Sequence, residues 1–498
     1  MRLDGRPVAV IFAVLVVALI VFGRASLPAF LVLAVLLLAA TAYAAHFWPR
    51  TTLVGAALVT LADPSVTPRF FPEQLNLGPI GASEPLLAVA GLVVAIDAIR
   101  RGTFADGFRG PTFALALLFV AVAAISALVN ATPPLVALLG IFMTLDAMAI
   151  FFVWRMLPMG LRDAAWAIGA IVAAGTAAAL FGIGQVLLDP NLLGFYSFVG
   201  RFGEGARITS FLGNPNMLSP VIGFTLPFAL FGAVRLGRPG HRWLAGAVAF
   251  VLVLALVLTF SRGAWVAVGV GLVLGTLLLD RRALLVLVLL VPLAWATAVV
   301  MPRDLLATQG PDAAPPAVPD WIGSTVDRFD DLGGGDLRIR FLTDGLRIID
   351  DNLLLGVGPG RYGGAAATIL GSPVYDEYDT QLFGFRTVHD FWLHLTGEVG
   401  VIGVAVFLTM VVALLIRFLR AAWRSEGLAF ILLAGAATAT LVVGFNNLTE
   451  MLFEGNVPAI LIWLILAIGS LLAPSPRLWG SIDGEPSEEP SGRYPRGA

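Results

Sequence analysis

The stretch "TVHDFWLHLTGEVGVIG", Thr387 to Gly403, carries His389, Asp390, His394 and Glu398 into the start of an apolar run and holds two of the chain's four histidines. A neutral imidazole takes a proton from a hydroxyl as that hydroxyl attacks an electrophile. Three further polar stretches lie between apolar runs. "RITSFLGNPNMLS" places Arg207 before a turn at Gly213, Asn214 and Pro215, followed by Asn216. Asn214 there is expected to cap the next helix, leaving backbone N–H groups directed outward. "TFSRGAW" places Arg262 in a turn with almost no loop to carry it. "DLRIRFLTDGLRIIDDNLLLGVGPGRY" adds Arg338, Arg340, Arg347 and Arg361. Guanidiniums bind diphosphate oxygens bidentately and stabilise charge growing on a departing phosphate. A base and a set of permanent cations together describe transfer of a group from a lipid diphosphate to an alcohol.

Each of these residues has a plainer role. Arginines at helix ends ordinarily snorkel to the headgroups, Asn-Pro-Asn is ordinarily a turn, and loop arginines are mostly solvated. His389 at a helix start has an interfacial reading of the same kind. What favours chemistry is their coincidence on one side of the chain's topology. Between the two histidines, helical spacing gives His389 a face shared with the small residues Thr396, Gly400 and Gly403, open to close approach. His394 falls instead on a face with Asp390 and Glu398 and reads as part of a structural polar pair with Glu398. His389 is therefore the expected base. No histidine and carboxylate set has metal-ligand spacing, so neither metal nor cofactor is expected.

The elements that must position these residues are membrane helices. Of 498 residues, 58% are hydrophobic and 13% charged, about half the charge a soluble surface needs. Apolar runs at about 7–23, 27–47, 51–62, 84–99, 112–129, 135–154, 164–188, 214–234, 244–261, 263–279, 283–300, 389–416, 428–446 and 457–473 predict an all-α polytopic membrane protein with 12–14 transmembrane helices. The chain has no lysine, so all 31 basic residues are arginine, and there is no cysteine. Disulfides and thiolate nucleophiles are thereby excluded. Numbering the short connections alternately puts nineteen arginines in one set and five, including Arg207 and Arg262, in the other. The positive-inside rule makes the first set cytoplasmic, with both termini inside and the polar stretches outside. The expected organisation is transmembrane helices over 1–300, a large outer loop over 301–388, C-terminal transmembrane helices over 389–473, and a disordered cytoplasmic tail over 474–498. The loop opens on Pro-rich "GPDAAPPAVPD" and continues into an amphipathic helix whose apolar residues include Leu337, Phe341, Leu342, Leu346 and Ile349. "GVGPGRY" then ends that helix.

At these residues the chain resembles the O-antigen ligase and polymerase family, bacterial membrane glycosyltransferases that share the Wzy C-terminal domain. The stretch with Gly-Asn-Pro-Asn, the Ser-Arg-Gly turn, the loop helix with its Gly-x-Gly-x-Gly turn, and the histidine helix ending in Glu-x-Gly-x-x-Gly occur in the family's order, over about residues 160–416. Asp390 stands where members more often have Asn. The resemblance implies a metal-independent, inverting transferase of GT-C-like architecture. Its donor would be a glycan on undecaprenyl diphosphate at the outer face of a bacterial cytoplasmic membrane, and its acceptor a sugar hydroxyl on a glycan or lipid-linked sugar. On this match Arg207 and Arg262 hold the diphosphate and His389 activates the acceptor. Arg340 is the loop arginine. Asn214, Asn216, Arg338, Arg361 and Asp390 complete the expected substrate-binding set. Expected partners are the lipid-linked donor, the acceptor and membrane lipids, with no nucleic acid. The alternatives are a transporter or flippase of lipid-linked glycan or small solute that makes no bond, and a structural or scaffolding membrane protein whose outer arginines bind anionic lipid headgroups.

Overall fold

In hydrocarbon a backbone must satisfy its own N–H and C=O groups, and helices are the solution this chain takes. The computed structural model describes Leu15 and residues 27–62, 83–189, 192–194, 207–301, 336–378, 390–454 and 457–473. Its principal helices are α1 (Leu27–Phe47), α2 (Pro49–Val59), α3 (Ser83–Arg101), α4 (Pro111–Val129), α5 (Pro134–Leu145), α6 (Ala149–Arg155), α7 (Leu161–Leu187), α8 (Pro215–Arg235), α9 (Pro239–Leu258), α10 (Arg262–Leu279), α11 (Arg281–Val300), α12 (Asp336–Asp351), α13 (Gly364–Leu370), α14 (Phe391–Ala422), α15 (Gly427–Asn446) and α16 (Val457–Leu472). No strand occurs among the described residues. The fold is an all-α polytopic membrane protein.

Nine of the described helices are long and apolar enough to cross a bilayer, and α5 with α6, bent by 54°, makes a tenth if counted as one span. The expected total of 12–14 exceeds this for local reasons. The run at 7–23 lies outside the described residues. Helix α2 has only 11 residues, too few for ~30 Å of hydrocarbon at ~1.5 Å per residue. Helix α3 ends in Asp97, Arg100 and Arg101, and α16 has 16 residues. The run at 135–154 is not one straight helix. It bends where the Asp146 carboxylate accepts the Ala147 N–H at 2.5 Å.

The core is built on α8, whose side chains are buried almost without interruption from Leu218 to Gly232. Helix α15 runs antiparallel to it at close range. A Cβ added to Gly435 would fall 2.2 Å from the Phe228 ring, and one added to Gly223 would fall 3.1 Å from Val442. Gly271 and Gly275 of α10 meet Val442 and Thr438 in the same way. Small residues of this kind let membrane helices pack at backbone distance.

The arginines sort onto two ends of this bundle. At one end His46 meets Asp97 at 2.7 Å, Arg50 meets Asp163 at 2.6 Å, and Arg235 meets Asp280 at 2.5 Å. There too Arg155 donates to the Arg109 carbonyl, Trp423 to Leu278 and Arg417 to Ser470, at 2.7, 3.1 and 2.7 Å. Helices α8 and α10 begin at the opposite end, where α4, α9 and α15 finish. Arg207 and Arg262 lie there.

Helix α14 departs from the expected continuous span. Its 32 residues break at Gly400, where φ is 68° and ψ is 179°. The segment after α12 fills the break: Val357 N–H donates to Gly397 O at 2.8 Å, Gly358 N–H to Glu398 O at 3.0 Å, and Val401 N–H to Leu353 O at 2.9 Å. Ser126 of α4 donates to Leu355 O at 2.5 Å, tying the loop to the bundle. A Cβ at Gly400 would lie 2.1 Å from Leu354 O, in a left-handed conformation that costs a side chain about 1–3 kcal/mol before the clash is counted. Gly400→Ala is therefore expected to lower the unfolding midpoint in detergent, and a midpoint equal to wild type would show that the break is not held as described.

Helix α12 forms where the amphipathic pattern places it, but its buried face is shifted. Ile348 and Ile349 pack with Val357, Tyr362 and Val374, whereas Leu342 and Leu346 are exposed.

Candidate functional site

Two of the polar stretches meet on a single side chain. Gln185 of α7 accepts the Thr209 and Ser210 N–H groups at 3.1 and 2.9 Å, which fixes the chain entering the turn before α8. Asn214, extended at φ −145°, caps α8 by accepting the Asn216 N–H at 2.8 Å. This is the capping role its position predicts. Asn216 Oδ1 then accepts both Arg207 Nη2 at 3.0 Å and Ser261 Oγ at 3.1 Å. Arg207 Nε donates to Thr259 O at 2.8 Å, and Ile208 N–H to Leu258 O at 3.3 Å. The turn between α9 and α10 is tight enough to hold Phe260 at φ 50°, and it delivers Arg262 at the first position of α10. Arg262 Nη1 is shielded from solvent. Arg207, Asn214, Asn216 and Arg262 are thus gathered at one corner of the bundle, with Thr259 and Ser261 as additional partners. Ser261 lies inside the quoted Ser-Arg-Gly motif, so its signal was adjacent to the residue singled out.

The start of α14 is tied to the same corner through the end of α15. Phe391 N–H donates to Asn447 O at 2.8 Å and Trp392 Nε1 to Gly444 O at 3.1 Å. Thr449, just beyond α15, packs on Gly263, whose added Cβ would fall 2.9 Å from Thr449 Oγ1. Asp390 caps α14, its Oδ1 accepting the Trp392 and Leu393 N–H groups at 2.9 and 3.1 Å. Asn and Asp are both strong caps, so this position tolerates either. Asp390→Ala is expected to cost about 1 kcal/mol of stability and Asp390→Asn almost none, as read by thermal unfolding. Equal losses would mean that the side chain does something other than cap. His389, the expected base, lies outside the described residues.

His394 is completely buried. Its Nε2 lies 3.1 Å from Glu454 Oε2 and 3.7 Å from Glu398 Oε1. The pairing with Glu398 follows the helical spacing, whereas Glu454 comes from the segment after α15 and had no local signal. Glu398 Oε1 also accepts the Gly360 N–H at 2.8 Å, and Gly364 covers His394 and Glu454. The cluster closes the glycine loop over the broken helix. Among the described residues no group of histidines and carboxylates has the arrangement to hold a metal ion.

The loop arginines are placed differently from one another. Arg361 Nη1 donates to Asn130 O at 2.9 Å, and its Nη2 is 3.9 Å from Glu377, so its described contacts tie the loop to the end of α4. Arg338 and Arg340 lie on the backbone of α12, and their side chains are outside the description. Arg347 is exposed.

Residues 247–408 match the family model described as O-antigen ligase. The match runs from within α9 to within α14, taking in Arg262, the loop helices and the histidine stretch, while Arg207 precedes it. No curated protein matches the chain.

Proposed function

We propose, from the match of residues 247–408 to the O-antigen ligase family model, that the chain transfers a glycan from undecaprenyl diphosphate to an acceptor hydroxyl at the outer face of a bacterial cytoplasmic membrane. The observation that carries the reading is Asn216 Oδ1, which joins Arg207 to the turn that bears Arg262. Two cations from separate sequence motifs are thereby brought to one corner, as a diphosphate requires.

In the proposed reaction the acceptor oxygen attacks the anomeric carbon and the bond from that carbon to the phosphate oxygen breaks. The electron pair leaves with the diphosphate, whose growing charge Arg207 and Arg262 stabilise. The acceptor proton passes to His389. Arg340 assists from the loop, and attack opposite the leaving group inverts the anomeric centre.

The test is transfer by the purified protein from a lipid-linked oligosaccharide to a glycan acceptor. A new glycosidic bond and released undecaprenyl diphosphate are expected. The breaks in α14 and between α5 and α6 support a second reading, because transporters build substrate sites on discontinuous helices. Movement of intact lipid-linked glycan across vesicles, with no bond made, would replace the first reading with that one.

A further inference from the structure

Two polar side chains at the arginine end of the bundle are left unused by this account. Ser219 of α8 and Asn446 at the end of α15 are both 0% exposed. Ser219 Oγ and Asn446 Nδ2 have no hydrogen-bond partner among the described residues. Thr225, Thr276 and Thr440 in these helices return to the carbonyl one turn back, at 2.8, 2.7 and 2.7 Å. Ser219 does not, and Thr438 Oγ1, two turns from Asn446 along α15, is also unpartnered among the described residues. The neighbouring Asn447 is fully engaged, donating to Val443 O and accepting the Leu452 N–H, each at 2.8 Å. Among the described residues the Asn446 side chain is held only through Oδ1, which accepts Thr449 Oγ1 at 3.4 Å, while its carbonyl accepts the Thr449 and Glu450 N–H groups, each at 3.0 Å.

The two residues sit at the end of the bundle that carries the arginines. Contacts of Gly223 with Val442 and of Gly435 with Phe228 define an antiparallel register that sets Ser219 opposite Phe445 and Asn446. Ser219 lies one turn along α8 from Asn216, on the same face. Asn446 reaches α10 through Thr449, which packs on Gly263 beside Arg262.

A buried donor left unpaired costs about 1–3 kcal/mol, and native interiors contain few of them. Both open functions are N–H or O–H groups at the end of the bundle that carries Arg207 and Arg262, where the partner that fits is an oxygen-rich anion. We propose that Ser219 Oγ and Asn446 Nδ2 form an inner donor pair for an oxygen of the diphosphate seated at Arg207 and Arg262. This rests on the diphosphate reading of that corner.

The test uses farnesyl diphosphate as a short polyprenyl diphosphate probe on the detergent-solubilised full chain, reading both its affinity and the unfolding midpoint without it. Ser219→Ala and Asn446→Leu are each expected to weaken the probe about tenfold or more while leaving the probe-free midpoint unchanged or higher. Ser219→Thr, which keeps the hydroxyl, is expected to bind like wild type. Unchanged affinity in both variants overturns the proposal, as does a Ser219→Thr defect equal to that of Ser219→Ala. A lowered probe-free midpoint in both also overturns it, since the groups would then be structural. If Arg262→Ala binds the probe as wild type does, it is the diphosphate reading of the corner that fails.

Discussion

Arg262→Ala is expected to lower the turnover of glycan transfer by about 10²–10³-fold, the usual effect of removing one group that stabilises charge in a transition state. Arg262 enters on the first residue of α10, directly after Ser261, whose hydroxyl is fixed by Asn216. The turn that carries Arg262 is therefore already held in place for the proposed role at the leaving diphosphate. Arg262→Lys keeps the charge but loses the planar fork, so it is expected to recover only part of the rate. The check is single-turnover transfer by purified variants at saturating donor. Wild-type turnover for Arg262→Ala would remove this residue from the chemistry, whatever its effect on donor affinity.

His389→Ala is expected to cost about 10²–10⁴-fold, the range for loss of a general base. A base must be neutral to accept a proton. Wild-type turnover should therefore fall as the pH is lowered and the base becomes protonated. His389→Ala should show a low profile without that fall. An unchanged fall in the variant would assign the titration to another group. His394 is a poor substitute, being enclosed by Glu398, Glu454 and Gly364. His394→Ala is expected to loosen the glycine loop without abolishing the pH dependence.

Much of this arrangement was legible in the order of residues. The apolar runs locate the helices because length and hydropathy alone decide what crosses hydrocarbon. The arginine alternation anticipates two unlike ends, and both appear as distinct sets of contacts. Arg207 and Asn216 were drawn to Arg262 by motif order, and the structure brings their two turns together. The breaks were not legible. Gly400 sits in "EVGVIG", where a glycine in an apolar helix ordinarily serves close packing. Its positive φ follows from residues 353–358, which pair with the opened helix from a distant part of the chain. Glu454 was invisible for the same reason, because nothing near it in sequence names His394 as its partner. Arg361 read as one more outer cation, yet its bond to Asn130 depends on how the glycine loop meets α4.

The most direct measurement is equilibrium binding of undecaprenyl diphosphate to wild type, Arg207→Ala, Arg262→Ala and the double variant. If both guanidiniums grip one diphosphate, each single variant loses affinity, and the second substitution costs at least about 0.5 kcal/mol more or less than it does alone. Wild-type affinity in both single variants, or strictly additive losses, would contradict a shared site.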